Sequence, residues 1–425
     1  MLRIAQVAYH TSPTAALGGS VAGGLNVYVL ALSSELAALG YEVDMFTRRD
    51  GDGPEVEAVA PGLRLIRITA GPANPLDKAD QVAHIGAFAA GVLDFTKREG
   101  RGYGLVHSHY WQSARAGTVV ARRLGVPHLT MFHTLAEVKN RARISEHEPL
   151  ERIRHERLAV RRAEAIVTGS DHERVLLERL YEGDPANIHT IPCGVDVERF
   201  HPRNQAADRA ALSLDLDRPL LLAVGRLERL KGLDILLGAL SQLDAPRPRL
   251  LIVGGGPESD DYRSELESLA EELGIGEDVT FVGPVPHEEL PAYYSAADVT
   301  VVPSYYESFG LVAVESMACG TPVVASRVGG LASTVTDGVN GYLIPWRCPE
   351  PFAEKLEVLL HNPELRENFS RAARRSVERF RWRTVALKMA ALYDEMIAAY
   401  QPRPGPPGEG FGKEAYEAAV LHGAR

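Results

Sequence analysis

The sequence predicts an α/β protein with two doubly wound, Rossmann-like parallel-sheet domains that face each other across a cleft. The chain has 425 residues, which is too long for one ordinary hydrophobic core. Short apolar segments alternate with amphipathic segments, a pattern typical of βαβ units, and the polar stretch Val195–Pro219 divides them into two series. Such sheets bind ligands at the carboxyl ends of their strands, so the cleft is the expected site.

The first series contains apolar segments that predict strands and longer periodic segments that predict helices. The predicted strands are Arg3–Ala8, Glu42–Phe46, Arg64–Ile68, Leu105–Ser108, His128–Phe132, Ala165–Thr168 and Ile188–Ile191. The predicted helices are Asn26–Leu39, Gln81–Arg98, Ala114–Leu124 and Glu148–Ala163. We expect the first domain to span residues 1–200.

The second series predicts another parallel sheet, in a domain that we expect to span residues 201–381. Its predicted strands are Leu220–Val224, Leu250–Val253, Val279–Val282, Val299–Val302 and Pro322–Ala325. From Asn362 the pattern is mostly helical, and the helix predicted at Trp382–Tyr400 is expected to brace the first domain. Residues 401–425 are rich in Pro and Gly and predict a loose tail.

The composition favours a globular cytoplasmic protein. Apolar residues make up 45% of the chain and the net charge is −10, so we expect no broad basic face for nucleic acid. The first residues, MLRIAQVAYH, predict a β-strand and lack the pattern of a signal peptide. No segment approaches the roughly 20 apolar residues that span a bilayer, so no integral membrane segment is expected. Cys193, Cys319 and Cys348 lack metal-binding spacing and are expected to be reduced.

The most informative segment is PSYYESFGLVAVESMACG, at residues 303–320. A strand is predicted to end just before it, and a helix to begin near Leu311. Glu307 then precedes the helix and Glu315 lies inside it. A helix N-terminus presents unpaired N–H groups and a partial positive charge, which suit a diphosphate. Helix capping explains either glutamate alone, but the whole string is far more specific.

Two further segments follow predicted strands and precede helices. In VGRLERLKGL, Arg226 and Lys231 are placed to neutralise a leaving diphosphate without a metal, the alternative being a pair of surface cations. In GGSVAGGLNVYV, Gly23 and Gly24 allow the backbone to approach a phosphate or sugar, the alternative being a tight structural turn. Neither segment decides between its two explanations alone.

Metal-dependent chemistry has weak support in the sequence. His107, His109 and His133 come from two strand ends, but their spacing does not form a clear ligand set. We expect His133 to face the cleft and the other two to be structural. The triplet DLD at residues 215–217 has the letters of a metal-binding DxD motif but lies in the polar stretch ahead of a strand. No catalytic metal is therefore expected.

Together these segments resemble the retaining glycosyltransferases of family 4, which have the two-lobed GT-B fold. The resemblance extends to about Tyr400 and rests on VAGGLNVYVLALSSELAALGYEVDMFTR, HSHYWQS, FHTLAEVKN, VGRLERLKG and YYESFGLVAVESMACGTPVVAS. Within the family, HTSP, AGPANPLDKADQ and AFAAGVLDF are most similar to the mycothiol-pathway group that glycosylates inositol 3-phosphate. The sucrose-phosphate synthases are close, and both groups use a UDP-sugar and a phosphorylated acceptor.

The resemblance implies a donor site, an acceptor site and a set of catalytic groups. The implied donor-binding residues are Gly23, Gly24, Arg226, Lys231, Glu307, Phe309, Gly310, Leu311 and Glu315. The implied acceptor-binding residues are Asn26, Lys78, Tyr110, Thr134 and Arg152, the last chosen over Arg154. The implied catalytic residues are His133, Glu307, Lys231 and Arg226.

Each donor-side residue has an implied role. Arg226 and Lys231 bind the diphosphate, which also lies against the paired glycines. Glu315 binds the ribose. Glu307, with the backbone that follows it, holds the transferred sugar, and His133 contacts that sugar near the reacting carbon.

The implied reaction transfers glucose or N-acetylglucosamine, with retention by a front-face path, from a UDP-sugar co-substrate to a small phosphorylated acceptor such as inositol phosphate. No tightly bound cofactor is implied. The alternatives are sucrose-phosphate-synthase-like transfer to fructose 6-phosphate, a GT-B-shaped nucleotide-sugar epimerase or phosphorylase, and a non-catalytic nucleotide-sugar-binding protein. Val21 and Ala22 stand where the inositol-phosphate enzymes usually have an acidic residue. The resemblance therefore does not determine which ring the acceptor contains. A homodimer is compatible with the sequence.

Overall fold

The computed structural model describes residues 2–15, 23–142, 147–215, 217–256, 259–345 and 347–401. Three features of the sequence lie outside these ranges. They are the dipeptide Val21-Ala22, the central residue of the DLD triplet and the predicted tail beyond Gln401.

The first lobe is built on an eight-stranded sheet within these ranges, with the order β3-β4-β2-β1-β5-β6-β7-β8. Its strands are β1 (Arg3–Val7), β2 (Glu42–Arg48), β3 (Val56–Ala60), β4 (Leu63–Ile68), β5 (Leu105–His109), β6 (His128–Met131), β7 (Ala165–Thr168) and β8 (Ile188–Thr190). Its helices are α1 (Gly24–Ala38), α2 (Lys78–Gln81), α3 (Ile85–Glu99), α4 (Trp111–Leu124), α5 (Ala136–Arg141), α6 (Leu150–Arg162) and α7 (Asp171–Tyr181). Neighbouring strands are parallel except β3 and β4.

The second lobe is built on a parallel sheet with the order β11-β10-β9-β12-β13-β14. Its strands are β9 (Leu220–Val224), β10 (Arg249–Val253), β11 (Val279–Gly283), β12 (Val299–Val302), β13 (Val323–Ser326) and β14 (Gly341–Ile344). The helices that follow the first lobe are α8 (Gln205–Ala211), α9 (Leu233–Ser241), α10 (Asp260–Glu272), α11 (Leu290–Ala296), α12 (Leu311–Ala318), α13 (Leu331–Thr334), α14 (Pro349–Leu360), α15 (Pro363–Ser376) and α16 (Trp382–Ala399). Both sheets bear out the predicted fold class.

Every strand predicted from an apolar run is present, with ends that differ by at most two residues. The runs are long enough to recognise because a parallel sheet covered by helices is buried on both faces. Two strands of the structure are not predicted from the sequence. β3 is an antiparallel edge strand whose residues are alternately exposed and half-buried, and β14 is a four-residue strand at the opposite edge of the other sheet.

Two predicted elements differ from the structure. The polar stretch Val195–Pro219, interpreted as a linker, contains α8, which packs against α11 of the second lobe. The helix predicted at Gln81–Arg98 begins earlier, as α2, and a 3-10 turn at Val82–His84 separates it from α3. Short polar helices of this kind are stabilised by tertiary packing, so periodicity alone does not identify them.

The last helix, α16, packs against α1 of the first lobe. The Trp382 ring meets Tyr28 of α1 edge to face, with ring centroids 5.5 Å apart. Further along α16, the Tyr41 hydroxyl donates a hydrogen bond to Asp394 Oδ1 at 3.1 Å. The chain therefore enters the second lobe and returns to complete the first.

The lobes also touch at the carboxyl end of β7. A Cβ added to Gly169 would lie 3.6 Å from Phe309 Cβ of the second lobe. Beside this contact, Glu173 is buried and accepts a hydrogen bond from the Gly169 N–H at 2.9 Å. Burial raises the pKa of Glu173 to about 7. Because the folded protein holds this proton more tightly than the unfolded chain, stability is lost as the pH rises from about 4.5 to 7.

The substitution Glu173→Gln is expected to remove this loss of stability at higher pH. At pH 8 it should raise the free energy of unfolding by about 1–3 kcal/mol, since a neutral amide needs no buried charge and still accepts the Gly169 N–H. At pH 5 the gain should be much smaller. Denaturant unfolding at the two pH values measures the difference. The matched control is Glu178→Gln on the same helix, which removes a partly exposed ion pair with Arg174. An equal gain at both pH values would contradict the assignment.

Candidate active site

Two helix starts converge between the lobes. α12 begins after Gly310, whose φ of +90° favours glycine, and α1 begins at Gly24. A Cβ added to Gly24 would lie 3.1 Å from Leu311 Cδ1, so the two N-termini are in contact. Each N-terminus carries a partial positive charge and free N–H groups, and together they form a place for an anion.

The turn before α12 holds Glu307 next to Lys231. Lys231 Nζ lies 2.7 Å from Glu307 Oε2, and both side chains are about one-quarter exposed or less. The Gly330 N–H donates to the Glu307 carbonyl at 2.9 Å, and the Tyr305 N–H donates to the Leu230 carbonyl at 2.8 Å. The structure thus brings these two predicted residues together as an ion pair on a well-anchored turn.

Three positive side chains, drawn from both lobes, act electrostatically on Lys78. Desolvation, followed by the positive charges of Arg226, Lys139 and Arg152, lowers the pKa of Lys78. Arg226 belongs to the second lobe and the other three to the first. Arg226 also forms an ion pair with Glu228 at 2.5 Å. A region where several positive charges act on one buried lysine is suited to binding a multiply charged anion.

Arg152 is the most tightly held of these cations. Its Nη2 donates to the carbonyl and to Oγ1 of Thr134, at 2.9 and 3.0 Å. Its guanidinium carbon lies 4.9 Å from the centre of the Tyr110 ring, and its Nε is 2.7 Å from Glu156 Oε1. Arg152 is 3% exposed, whereas Arg154 on the same helix is exposed to solvent. Three of the predicted acceptor residues therefore share one cluster.

Asn26 shapes the start of α1. Its Oδ1 accepts the Gly23 N–H at 3.0 Å, and its Nδ2 donates to Thr11 Oγ1 at 2.9 Å and to the Ser12 carbonyl at 2.6 Å. The structure therefore uses the amide of this predicted acceptor residue to fix the glycine turn.

Glu315 lies in the wall of a cavity of about 990 Å³ between α1 and the loop after β11. Its carboxylate accepts hydrogen bonds from His287 Nε2 at 2.8 Å and from the Tyr294 hydroxyl at 2.9 Å. Arg199 donates to the other ring nitrogen of His287, at 3.3 Å. Sequence reasoning missed His287 and Tyr294, which belong to no motif. They hold the Glu315 side chain at the cavity wall.

His133 lies two residues beyond the end of β6 and has a φ of +61°. Tyr110, at the end of β5, also has a positive φ, of +78°. Such backbone strain in residues other than glycine is concentrated at functional sites. Burial lowers the pKa of His133 to about 3, so the ring is neutral at ordinary pH. Its Nε2 lies 3.1 Å from Nδ1 of His109.

The structure brings predicted residues together in three groups: Gly24 with Leu311, Lys231 with Glu307, and Arg152 with Thr134 and Tyr110. Sequence reasoning also missed Lys139 and its ion-pair partner Glu148, although Lys139 stands in the motif FHTLAEVKN. Among the described residues, no group of three or more His, Cys, Asp or Glu side chains could hold a metal ion. The same ranges contain no helix long and apolar enough to cross a membrane.

Sequence profiles match both lobes. The profile of "Glycosyltransferase Family 4" matches residues 22–199, and that of "Glycosyl transferases group 1" matches residues 204–376. The D-inositol 3-phosphate glycosyltransferase 2 of Catenulispora acidiphila is 41% identical over 406 residues, covering 93% of this chain and 95% of the relative. The chain belongs to the family 4 glycosyltransferases. The protein is therefore an enzyme that transfers glycosyl groups.

Solved structures of other glycosyltransferases share the GT-B fold of this family 4 enzyme. A sucrose-phosphate synthase from Thermosynechococcus elongatus is 36% identical with a TM-score of 0.88, covering 94% of this chain and 100% of that one. Anabaena HepE, solved with UDP and glucose, has a TM-score of 0.74 at 19% identity, covering 93% of this chain and 100% of that one. The second similarity concerns the fold alone.

Proposed function

We propose that this glycosyltransferase moves glucose or N-acetylglucosamine, with retention, from a UDP-sugar to a small phosphorylated acceptor such as inositol phosphate. The main support is a group of four cations contributed by both lobes, in which the charge of Arg226 acts on Lys78 of the other lobe. One cluster serves two phosphate-bearing substrates, a donor diphosphate and an acceptor phosphate. The inositol-phosphate enzyme named above supports this choice of acceptor.

The second lobe, residues 201–381, is the proposed nucleotide-sugar domain. Arg226, Lys231 and the N-terminus of α12 neutralise the diphosphate, and Glu315 binds the ribose from the wall of the large cavity. Glu307 and the backbone at Phe309, Gly310 and Leu311 hold the transferred sugar. The ion pair between Lys231 and Glu307 supports this arrangement, because it links the phosphate and sugar subsites.

The first lobe, residues 1–200 with the helix at 382–400, is the proposed acceptor domain. Lys78, Tyr110, Thr134 and Arg152 bind the acceptor phosphate, and Asn26 fixes the turn at Gly23 and Gly24 against the donor phosphates. The hydrogen bonds from Arg152 to Thr134 support a preformed phosphate site. Preformed charge-assisted donors of this kind bind phosphate strongly.

The proposed reaction follows a front-face path. UDP departs toward Arg226, Lys231 and the start of α12, and the acceptor hydroxyl attacks the sugar carbon from the same side. The departing phosphate oxygen takes the hydroxyl proton. The cations stabilise charge that develops on the leaving group, so they act most strongly in the transition state. His133, neutral because it is buried, contacts the sugar by hydrogen bonding.

A second candidate is glucosyl transfer to fructose 6-phosphate. The similarity to a sucrose-phosphate synthase at 36% identity and a TM-score of 0.88 favours it. Both candidates require the same cation cluster, so they differ only in the ring that carries the phosphate.

A grid of substrates tests the proposal. UDP-glucose and UDP-N-acetylglucosamine are each offered with inositol 3-phosphate, fructose 6-phosphate and the two unphosphorylated acceptors, and UDP release and product mass are measured. UDP release that depends on a phosphorylated acceptor, with the α-configuration kept in the product, is expected. Conversion of the donor without an acceptor would indicate an epimerase. Tight UDP binding without release in any combination would indicate a binding protein.

Replacing Lys231 with alanine is expected to raise the barrier by on the order of 3 kcal/mol, because it removes a charge that stabilises the leaving group. Turnover should fall about a hundredfold in steady-state assays at saturating substrates. The matched control is Arg229→Ala in the same 3-10 turn, where the side chain is half-exposed and bonded to Glu265. Unchanged turnover in the Lys231 variant would remove this residue from the mechanism.

Replacing Lys78 with alanine is expected to raise the KM of the phosphorylated acceptor by about tenfold, because one charge-assisted hydrogen bond is lost. The KM of the unphosphorylated acceptor should stay the same. Arg152→Lys tests the same site while keeping a charge beside the buried Glu156. The control is Arg154→Ala, at an exposed position of the same helix. An equal rise in KM for the phosphorylated and the unphosphorylated acceptor would contradict a phosphate site at these residues.

A further inference from the structure

A chain of hydrogen bonds runs from the C-terminal helix α16 to His133. The Tyr393 hydroxyl accepts from Gln6 Nε2 at 3.1 Å, and Gln6 Oε1 lies 2.7 Å from His109 Nε2. His109 Nδ1 lies 3.1 Å from His133 Nε2. On its other side the Tyr393 hydroxyl lies 2.7 Å from His107 Nδ1. The route connects α16 to His133 through side chains of the two central strands β1 and β5.

The fold places these groups in line. Gln6 is a polar residue in the middle of β1, and its register partner on β5 is His107. His109 lies two residues further along β5, on the same face and toward the cleft. Gln6, His107, His109 and Tyr393 are all fully buried. An unpaired polar group is costly at such burial, so each hydrogen bond in this series matters to the groups that it joins.

With the Gln6 amide oriented as in the structure, Nε2 toward Tyr393 and Oε1 toward His109, the hydrogens run in one direction; the reversed amide would reverse every bond and place the His133 hydrogen on Nδ1. The Gln6 oxygen can only accept, so His109 carries its hydrogen on Nε2 and presents a bare Nδ1. His133 must then donate from Nε2 to that nitrogen. Likewise, Tyr393 receives a hydrogen bond from Gln6 and donates its own hydrogen to His107.

We propose that Tyr393, acting through Gln6 and His109, is a positioning residue that holds His133 in a single neutral tautomer with its hydrogen on Nε2. His133 Nδ1 is thereby kept as a hydrogen-bond acceptor for a hydroxyl of the transferred sugar. This inference rests on the proposed function for the sugar contact alone. The tautomer itself follows from the orientation of the Gln6 amide within the protein.

The alternative role for the same groups is purely structural. α16 closes the core of the first lobe, and a buried Tyr–Gln–His chain also holds a helix in place. The two roles differ in what a small change does. A structural role predicts lower stability with unchanged chemistry, whereas a positioning role predicts an altered His133 ring and a lower kcat.

Nitrogen NMR of enzyme labelled with 15N-histidine tests the tautomer directly. The His133 signals are assigned by their loss in His133→Asn. We expect the parent enzyme to show Nε2 protonated and Nδ1 bare, and Tyr393→Phe to show a mixture, because the Gln6 amide is then free to turn over. A hydrogen on Nδ1 in the parent, or an unchanged His133 spectrum in Tyr393→Phe, would overturn the proposal.

Kinetics provide the second measurement. Tyr393→Phe and Gln6→Met keep the packing volume, and each is expected to lower kcat about tenfold or more, with the acceptor KM unchanged. Tyr41→Phe is the matched control. It also removes a tyrosine hydrogen bond to α16, but one that is not part of the hydrogen-bond series leading to His133. A parent enzyme that transfers no sugar would contradict the proposed function, while the NMR result would still decide the tautomer. Loss of stability with kcat unchanged in Tyr393→Phe would establish the structural role instead.

Discussion

The concentration of positive charge between the lobes is the constraint on which the rest of the structure depends. The chain carries a net charge of −10, yet the positive charges of Arg226, Lys139 and Arg152 all act on Lys78. Such a cluster is unfavourable unless rigid partners hold its members. Glu148, Glu156 and Thr134 hold Arg152 and Lys139 from the first lobe, and Arg226 of the second lobe is paired with Glu228.

Rigidity around the cleft comes from hydrogen bonds that hold the residues facing it. Asn26 fixes the turn before α1, Gly330 fixes the turn before α12, and His287 with Tyr294 fixes Glu315. None of these contacts requires a substrate to be present. The groups that face a ligand are therefore oriented before it arrives, which lowers the reorganisation needed in the reaction. Positive φ values at Tyr110 and His133 show where the backbone is strained to aim side chains inward.

The sequence predicts much of this fold because apolar runs mark buried parallel strands. It does not predict β3 or β14, which lie at sheet edges and are half-exposed or short. It predicts Glu307 and Lys231 as neighbours of one phosphate site, since both stand between a strand and a helix. The sequence does not predict the electrostatic effect of Arg226 on Lys78, because that effect depends on how two separate sheets face each other. The partner of Gln6 could not be predicted either, since Tyr393 is 387 residues away in the chain.

The return of α16 to the first lobe also affects how enzymes of this architecture can be recombined. Its packing on α1 and its bond to Gln6 make the last helix part of the first lobe's core. A hybrid that joins the first lobe of one relative to the second lobe of another at a single crossover would inherit a foreign helix in that core. Two crossovers, one on each side of the second lobe, keep the first lobe's own helix with its sheet. The folding of the first lobe is likewise completed only after the second lobe has been synthesised.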